Sequence, residues 1–276
     1  MTILTVILLA LVEGAAATML LSGSGQLILF AKLTGVTETK IDLLLFCVIL
    51  HAGNLIGTLL YERKNVAGLL RELPGLLGRR SGRPAQGVRR RELMLLLVAL
   101  LPMALTPLLF GTVRGLYSGE QLLLWSGVGL GLSGLFLFFG ERLYRGSRDE
   151  KTVTALDALL IGLSQVLAVF PGVSRSALTV GTGVMRGLKR EYAVTFSCLL
   201  SLPVLLAALV TELIRALSGA ELPSIWLCLP GIVLSAAASW FFRRLLTQIA
   251  KYGRFDSLAY ICWGTGVLSL LLVLVA

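Results

Sequence analysis

Apolar residues run along this chain in long blocks rather than in strict alternation. Six blocks, at about 41–61, 93–111, 121–140, 192–214, 225–242 and 257–275, each approach the roughly 20 helical residues that cross a hydrocarbon layer, and each predicts a transmembrane helix. The polar positions between them are strongly one-signed. Glu62–Glu92 holds nine basic residues, Glu141–Lys151 four, Met185–Glu191 three and Arg243–Arg254 four, so twenty of the 25 basic residues fall in alternate breaks. The opposite connections, 32–40, 112–120 and 215–224, hold only Lys32, Lys40, Arg114 and Arg215. Lysine and arginine concentrate on the cytoplasmic side of membrane proteins, so the linker 62–92 is read as cytoplasmic.

This orientation leaves two apolar stretches that cannot be ordinary spans. Residues 152–184 begin and end on the basic face yet are too long for one crossing. Pro171 removes a backbone donor and Gly172 frees the backbone, so the pattern predicts two short helices joined in a re-entrant turn. Residues 1–31 must start and return on the other face, with a break near "LLSGSGQ". Sliding the chain on itself by 152 positions lays Ser22 on Ser174, Ser24 on Ser176 and Glu13 on Gln165. The expected fold is an all-α polytopic membrane protein, one integral domain over 1–276. It has six transmembrane helices and two re-entrant helical hairpins, arranged as an inverted repeat of 1–140 and 154–276. Inverted repeats place a polar site near the midplane, where broken helices expose backbone groups.

Composition agrees. Apolar residues make up 56% of the chain and charged residues only 14%, against about 25% charged in soluble domains. The net charge of +10 does not indicate a nucleic-acid partner, because the basic residues cluster in breaks instead of interleaving with aromatics. Cys47, Cys198, Cys228 and Cys262 lie in apolar stretches with no CxxC pair and no nearby histidine, which predicts packing thiols. The first dozen residues and "GAAA" resemble a signal-peptide core, but no positive charge precedes Lys32, so no cleaved signal is expected.

Away from the membrane edges the ionisable groups are few: Glu13, His51 and Arg175, with Asp157 near a helix start. A charge at the bilayer centre costs about 2.5–3.5 kcal/mol on insertion scales, so each is a functional candidate with an expected partner. Glu13 and Arg175 form the obvious pair. Arg175 offers a rigid fork of donors suited to phosphate oxygens. Ser174 and Ser176 add hydroxyls, and the helix opening after Pro171-Gly172 adds free N–H groups, so "PGVSRS" reads as an anion seat. Glu13 could act as a general base, a metal ligand or the arginine's counter-ion. His51 could be a buried hydrogen-bonding residue or a proton carrier. Gln165 can hydrogen-bond but cannot take a proton, and Ser22 and Ser24 either donate to a ligand or permit the turn, their flanking glycines favouring close backbone approach.

The fragments "VEG", "DALLIGLSQVLAVFPG", "PGVSRS" and "FSCLLSLP", in this order and spacing, resemble the bacterial undecaprenyl-diphosphatase family, also called bacitracin-resistance proteins, along the whole chain. The resemblance implies an enzyme of the bacterial inner membrane that removes the terminal phosphate of undecaprenyl diphosphate, recycling the lipid carrier of cell-wall synthesis. By position, Glu13, Ser22 and Gly25 match its first motif and Ser174, Arg175 and Ser176 its second. Glu13, Ser174 and Arg175 are therefore the expected catalytic residues. The expected substrate-binding residues are Ser22, Ser24, Gly25, Gly172, Ser176, Gln165 and His51. Mg²⁺ or Ca²⁺ is the expected cofactor, with Glu13 its candidate ligand; the expected partners are polyprenyl diphosphate or monophosphate, membrane lipids and a second copy in a homodimer. The chain departs from the family pattern where it carries Ala17 for a glutamate, Leu20 for a proline, Gly23 for a serine, Gln26 for a histidine and Thr195 for a glutamate. The phosphate-holding half is retained and much of the proton-handling half is missing. Two activities remain open: a diphosphatase in which Glu13 and His51 suffice, or an impaired relative acting as a polyprenyl-phosphate flippase or binder.

Overall fold

The computed structural model describes residues 3–35, 43–76, 86–117, 119–217 and 225–275. Among them the chain forms twelve α-helices and no strand, with one isolated β-bridge between Arg148 and Leu188. Four stretches, Gly87–Tyr117, Gln121–Arg142, Arg190–Thr211 and Asp256–Val275, are long and apolar enough to cross a membrane. The chain is an α-helical membrane protein. Lys40, the arginine run within 77–85, the connection 218–224 and the Cys47 side chain lie outside the described residues.

Over the described residues, each predicted span coincides with helix. α3 (Leu43–Leu70), α7 (Gly119–Arg142), α10 (Arg190–Leu217), α11 (Ile225–Tyr252) and α12 (Asp256–Val275) correspond to five of them. The block at 93–111 is a broken rod. α5 (Gln86–Leu100) passes into a 3₁₀ turn, Leu101–Leu105, and then α6 (Thr106–Val113), because Pro102 and Pro107 open new helical segments where their missing N–H groups cost least.

α3 and α11 overrun their apolar blocks, which were expected to end near 61 and 242, and part of the expected linker 62–92 is therefore helical. The reason is a shared interior charge. Glu62 of α3 and Arg243 of α11 form an ion pair whose side chains are only 4% and 2% exposed. Asn65 donates to the second Glu62 oxygen at 2.6 Å, and Arg89 donates to Asn65 at 3.0 Å. Paired and hydrogen-bonded charge can be buried, so the two helices run on together. The short α4 (Leu73–Leu76) follows.

Two helical hairpins stand beside these rods. α1 (Ile3–Thr18) folds onto α2 (Gly23–Leu33), and α8 (Ala155–Val166) onto α9 (Arg175–Met185). α1 rests on α11 and α9 on α7, so each hairpin is fixed by a long helix. The second break falls where the sequence indicates: Phe170 is extended before the proline and Gly172 has φ +75°, a left-handed conformation that glycine adopts without penalty. Its Cα also abuts the Ser126 carbonyl of α7, leaving no room for a Cβ. The first break falls at Met19–Ser22, the opening of "LLSGSGQ", and its left-handed residues are Leu20 (φ 66°) and Ser22 (φ 62°). Gly23 and Gly25 lie inside α2.

Candidate active site

α2 and α9 begin against one cavity of about 250 Å³. Each is capped the same way: Ser22 Oγ accepts from Gly25 N at 3.2 Å, and Ser174 Oγ accepts from Ala177 N at 3.2 Å. These caps stand 152 residues apart, the offset at which the sequence aligns on itself. The remaining first-turn N–H groups and the positive ends of two helix dipoles are thus directed at the same space. Its wall contains Ser22, Gly23 and Ser24 from the first hairpin and Ser174, Arg175 and Ser176 from the second. His51 and Asn54 of α3, Thr106 of α6 and Gln165 of α8 complete its polar lining.

Arg175 is the first residue of α9 and is partly buried. Among the described residues no carboxylate lies within ion-pair distance of it. The expected pairing with Glu13 is therefore not formed. Glu13 is fully buried on α1 and lies 3.3 Å from Nε2 of His51, whose side chain is 24% exposed. The carboxylate packs against the Cα of Gly23, where any Cβ would collide with it. It thereby sits at the positive end of α2, the favourable end for an anion.

The two seat hydroxyls are neighbours. Ser174 Oγ and Ser176 Oγ are 3.2 Å apart, Ser176 donates to the Ala17 carbonyl at 3.4 Å, and the Ser174 N–H donates to Ser133 Oγ at 2.8 Å. With the Ser176 proton on the Ala17 carbonyl, the Ser174 hydroxyl is the donor between the two, so either hydroxyl gives its proton to a ligand only by exchanging one of these bonds. Gln165 donates to the Ala99 carbonyl at 2.9 Å, while its buried Oε1 has no partner among the described residues. Gly25 and Gly172 do not line the cavity; a Cβ on Gly25 would lie 3.1 Å from the Gly172 Cα. These two glycines let the hairpins touch. Gln26 also faces away, donating to Thr265 Oγ1 of α12 at 2.8 Å, whereas Ala17 lies on the cavity wall.

Asn54, Met103 and Thr106 line the cavity without having been singled out from the sequence. For Asn54 a signal existed. Polar residues recur along α3 at 51, 54, 58, 62 and 65, the three-or-four spacing of one helix face, and Asn54, Thr58 and Glu62 are all buried. Periodicity read on the polar positions of an apolar helix, instead of on its apolar ones, marks this face.

The donor set does not build a resident divalent-metal site. Ca²⁺ seeks six to eight oxygens, and Mg²⁺ several oxygens in near-ideal octahedral geometry. No carboxylate is among the residues that line this cavity, since Glu13 is buried against His51 behind the wall, and the wall carries a guanidinium that repels cations. Among the described residues no three metal-ligating side chains of the His, Cys, Asp or Glu type come together.

Residues 6–268 match the family described as Bacitracin resistance protein BacA. The chain belongs to this family. It is 31% identical over 271 residues to a protein of Carboxydothermus hydrogenoformans named undecaprenyl-diphosphatase, covering 96% of this chain and 95% of the relative. It is 32% identical over 258 residues to undecaprenyl-diphosphatase 2 of Stutzerimonas stutzeri, covering 90% and 92%. A protein of Halothermothrix orenii with the same name is 29% identical over 274 residues, covering 99% and 98%. In this BacA-family member the second-motif residues Ser174, Arg175 and Ser176 face the cavity together with Ser22. Of the first-motif departures, Gln26 lies off the cavity and Ala17 on it.

Proposed function

We propose that this protein is a membrane-embedded polyprenyl diphosphate phosphatase that releases inorganic phosphate and leaves the lipid monophosphate used as carrier in cell-wall synthesis. The observation that carries this reading is Arg175: a guanidinium on the wall of a polar cavity, beside two helix N-termini, with no carboxylate partner among the described residues. A diphosphate supplies the missing charge. The names of the relatives favour hydrolysis over the flippase or binder reading.

In this mechanism the terminal phosphoryl group lies on Arg175, the Ser174 and Ser176 hydroxyls and the first N–H groups of α9. Ser22, Ser24 and the N-terminus of α2 hold the inner phosphate, and the prenyl chain lies outside in the bilayer. Glu13 orients His51, which takes a proton from a water as its oxygen attacks the terminal phosphorus. The bridging P–O bond breaks and the lipid monophosphate departs with the electron pair. Arg175 and the two helix ends stabilise the charge that moves onto phosphate oxygens, the main task of a protein in phosphoryl transfer. Dependence on Mg²⁺ or Ca²⁺, expected from the family resemblance, would be that of the diphosphate substrate carrying its counter-ion; no step above is routed through it.

The topology belongs to the same proposal: six spans with two re-entrant hairpins in an inverted repeat, in the bacterial inner membrane, with 62–92 cytoplasmic. The 152-residue offset of the two serine caps supports the repeat, and the basic linker supports the orientation. Phosphate release from undecaprenyl diphosphate by the purified protein tests the activity. Release abolished by Arg175→Ala, in a variant that keeps its thermal stability, is the expected result. No release with Mg²⁺ or Ca²⁺ present would overturn the reading.

A further inference from the structure

Two cavities of similar size open at the basic end of the bundle, and their charges differ sharply. One, of about 550 Å³, is lined by four basic residues, Arg89, Lys189, Arg190 and Lys251, and by four acidic ones, Glu92, Asp149, Glu150 and Glu191. The other, of about 540 Å³, is lined by Arg142, Arg145, Arg148 and Arg186 with no acidic residue in its wall. An excess of basic residues on the cytoplasmic side does not account for this contrast, since both cavities lie at that end. The imbalance is local.

The arginine cavity is also held in shape. It lies where α7 and α9 end, with Gly146 and Gly187 in left-handed turns and the Arg148–Leu188 bridge tying the two connections together. Asp157, buried behind the wall and held by the Thr154 capping box, pairs with Arg148 and, at 2.8 Å, with Arg186 Nε. That carboxylate fixes two guanidiniums that remain about one-third exposed and cancels one charge of four. Arg142 stacks over the Phe138 ring, its guanidinium carbon 4.8 Å from the centroid, and among the described residues neither Arg142 nor Arg145 has a carboxylate partner. Leu143 and Met185 give the cavity an apolar part, and Leu143 and Phe139 are exposed at the end of α7. Apolar contact beside several guanidiniums matches the boundary between acyl chain and phosphate.

We propose that this cavity binds the phosphate head group of an anionic phospholipid, separately from the candidate active site. Guanidinium forks engage phosphate oxygens two at a time, and a residual charge near +3 favours a head group with net negative charge over a zwitterion.

The full-length protein in nanodiscs tests this through the lipids it retains, counted by native mass spectrometry. With cardiolipin and phosphatidylcholine offered equally, we expect about tenfold preferential retention of cardiolipin, lost in Arg142→Gln/Arg145→Gln. A separate arm adds millimolar inorganic phosphate; continued lipid retention identifies a lipid site, whereas complete displacement assigns it to soluble phosphate and overturns the lipid proposal. Equal retention of both lipids, or a cardiolipin preference that the double variant keeps, overturns it as well. Melting temperature in phosphatidylcholine alone verifies that the variant folds, and Arg145→Glu, which should abolish retention by charge reversal, provides a second variant. Phosphate release in neutral detergent is measured in parallel, so failure of this site is distinguishable from failure of the phosphatase reading.

Discussion

His51 on α3 holds its Nε2 3.3 Å from Oε1 of Glu13 on α1, and the two residues differ in what surrounds them: the carboxylate is sealed in and the imidazole reaches the cavity. An imidazole oriented by a buried carboxylate is a common arrangement for moving a proton, because the carboxylate selects the tautomer and stabilises the cation that forms. In this chain that pair bridges α1 and α3, with α2 between them in sequence, and neither the residue at 17 nor the one at 26 takes part in it.

If the pair acts as one unit, removing either member removes most of its effect. His51→Gln and Glu13→Gln are each expected to lower kcat by roughly 10²–10³ with little change in KM, and the double variant to be about as slow as either single one. Steady-state phosphate release measures this; losses that multiply in the double variant would show two independent roles.

Positions 17 and 26, both departures from the family pattern, should behave differently from each other. Gln26 bonds Thr265 on α12, so Gln26→His should leave kcat within about twofold while costing roughly 1 kcal/mol of stability from the lost hydrogen bond. Ala17 shares the cavity wall with Arg175. A carboxylate there would pair with the guanidinium, so Ala17→Glu is expected to weaken inhibition by inorganic pyrophosphate about tenfold. Unchanged inhibition would mean that the Arg175 seat does not hold the diphosphate.

Much of this arrangement can be read in the sequence, and the parts that cannot have physical reasons. Pro171-Gly172 announces its turn because proline and glycine act locally, whatever surrounds them. "LLSGSGQ" also announces a break, but which of its residues take the left-handed backbone is not local information: Gly23 makes room for Glu13, and Leu20 and Ser22 carry the turn strain. The cavity-facing serines follow from the chain's match to itself. The partner of Glu13 does not, since which of two distant side chains, His51 or Arg175, meets the carboxylate depends on helix packing that no local pattern records. The extension of α3 and α11 was hidden in the same way: Glu62 and Arg243 look like membrane-edge residues until they are seen to neutralise each other.

Gly23, which opens α2, and Gly172, in the break between α8 and α9, should separate activity from stability. In Gly23→Ala the new methyl group meets the Glu13 carboxylate and displaces it from His51, so a large loss of kcat with a modest change in melting temperature is expected. In Gly172→Ala the residue must hold φ +75° and also clash with the Ser126 carbonyl. That substitution should destabilise the whole protein by several kcal/mol, on the order of the penalties for a strained backbone added to those for an overpacked core. Thermal unfolding in detergent beside activity distinguishes the two; equal destabilisation by both would remove the special role of Gly23.

The ion pair between Glu62 and Arg243 allows the sharpest stability test, because burial makes the outcome depend on whether one partner or both are removed. With side chains only 4% and 2% exposed, either charge left alone would be an uncompensated ion in the interior. Glu62→Met should therefore cost about 3–5 kcal/mol, and Arg243→Met a similar amount. Removing both charges at once also removes the cost of desolvating them, and methionine can fill irregular space. The double variant should unfold within about 1–2 kcal/mol of the parent, well above either single variant. A double variant as unstable as the sum of the two singles would mean that the pair is held by its wider network. Asn65, Arg89 and Glu92, which continue it through hydrogen bonds, would then be what carries α3 and α11 past the ends of their apolar blocks.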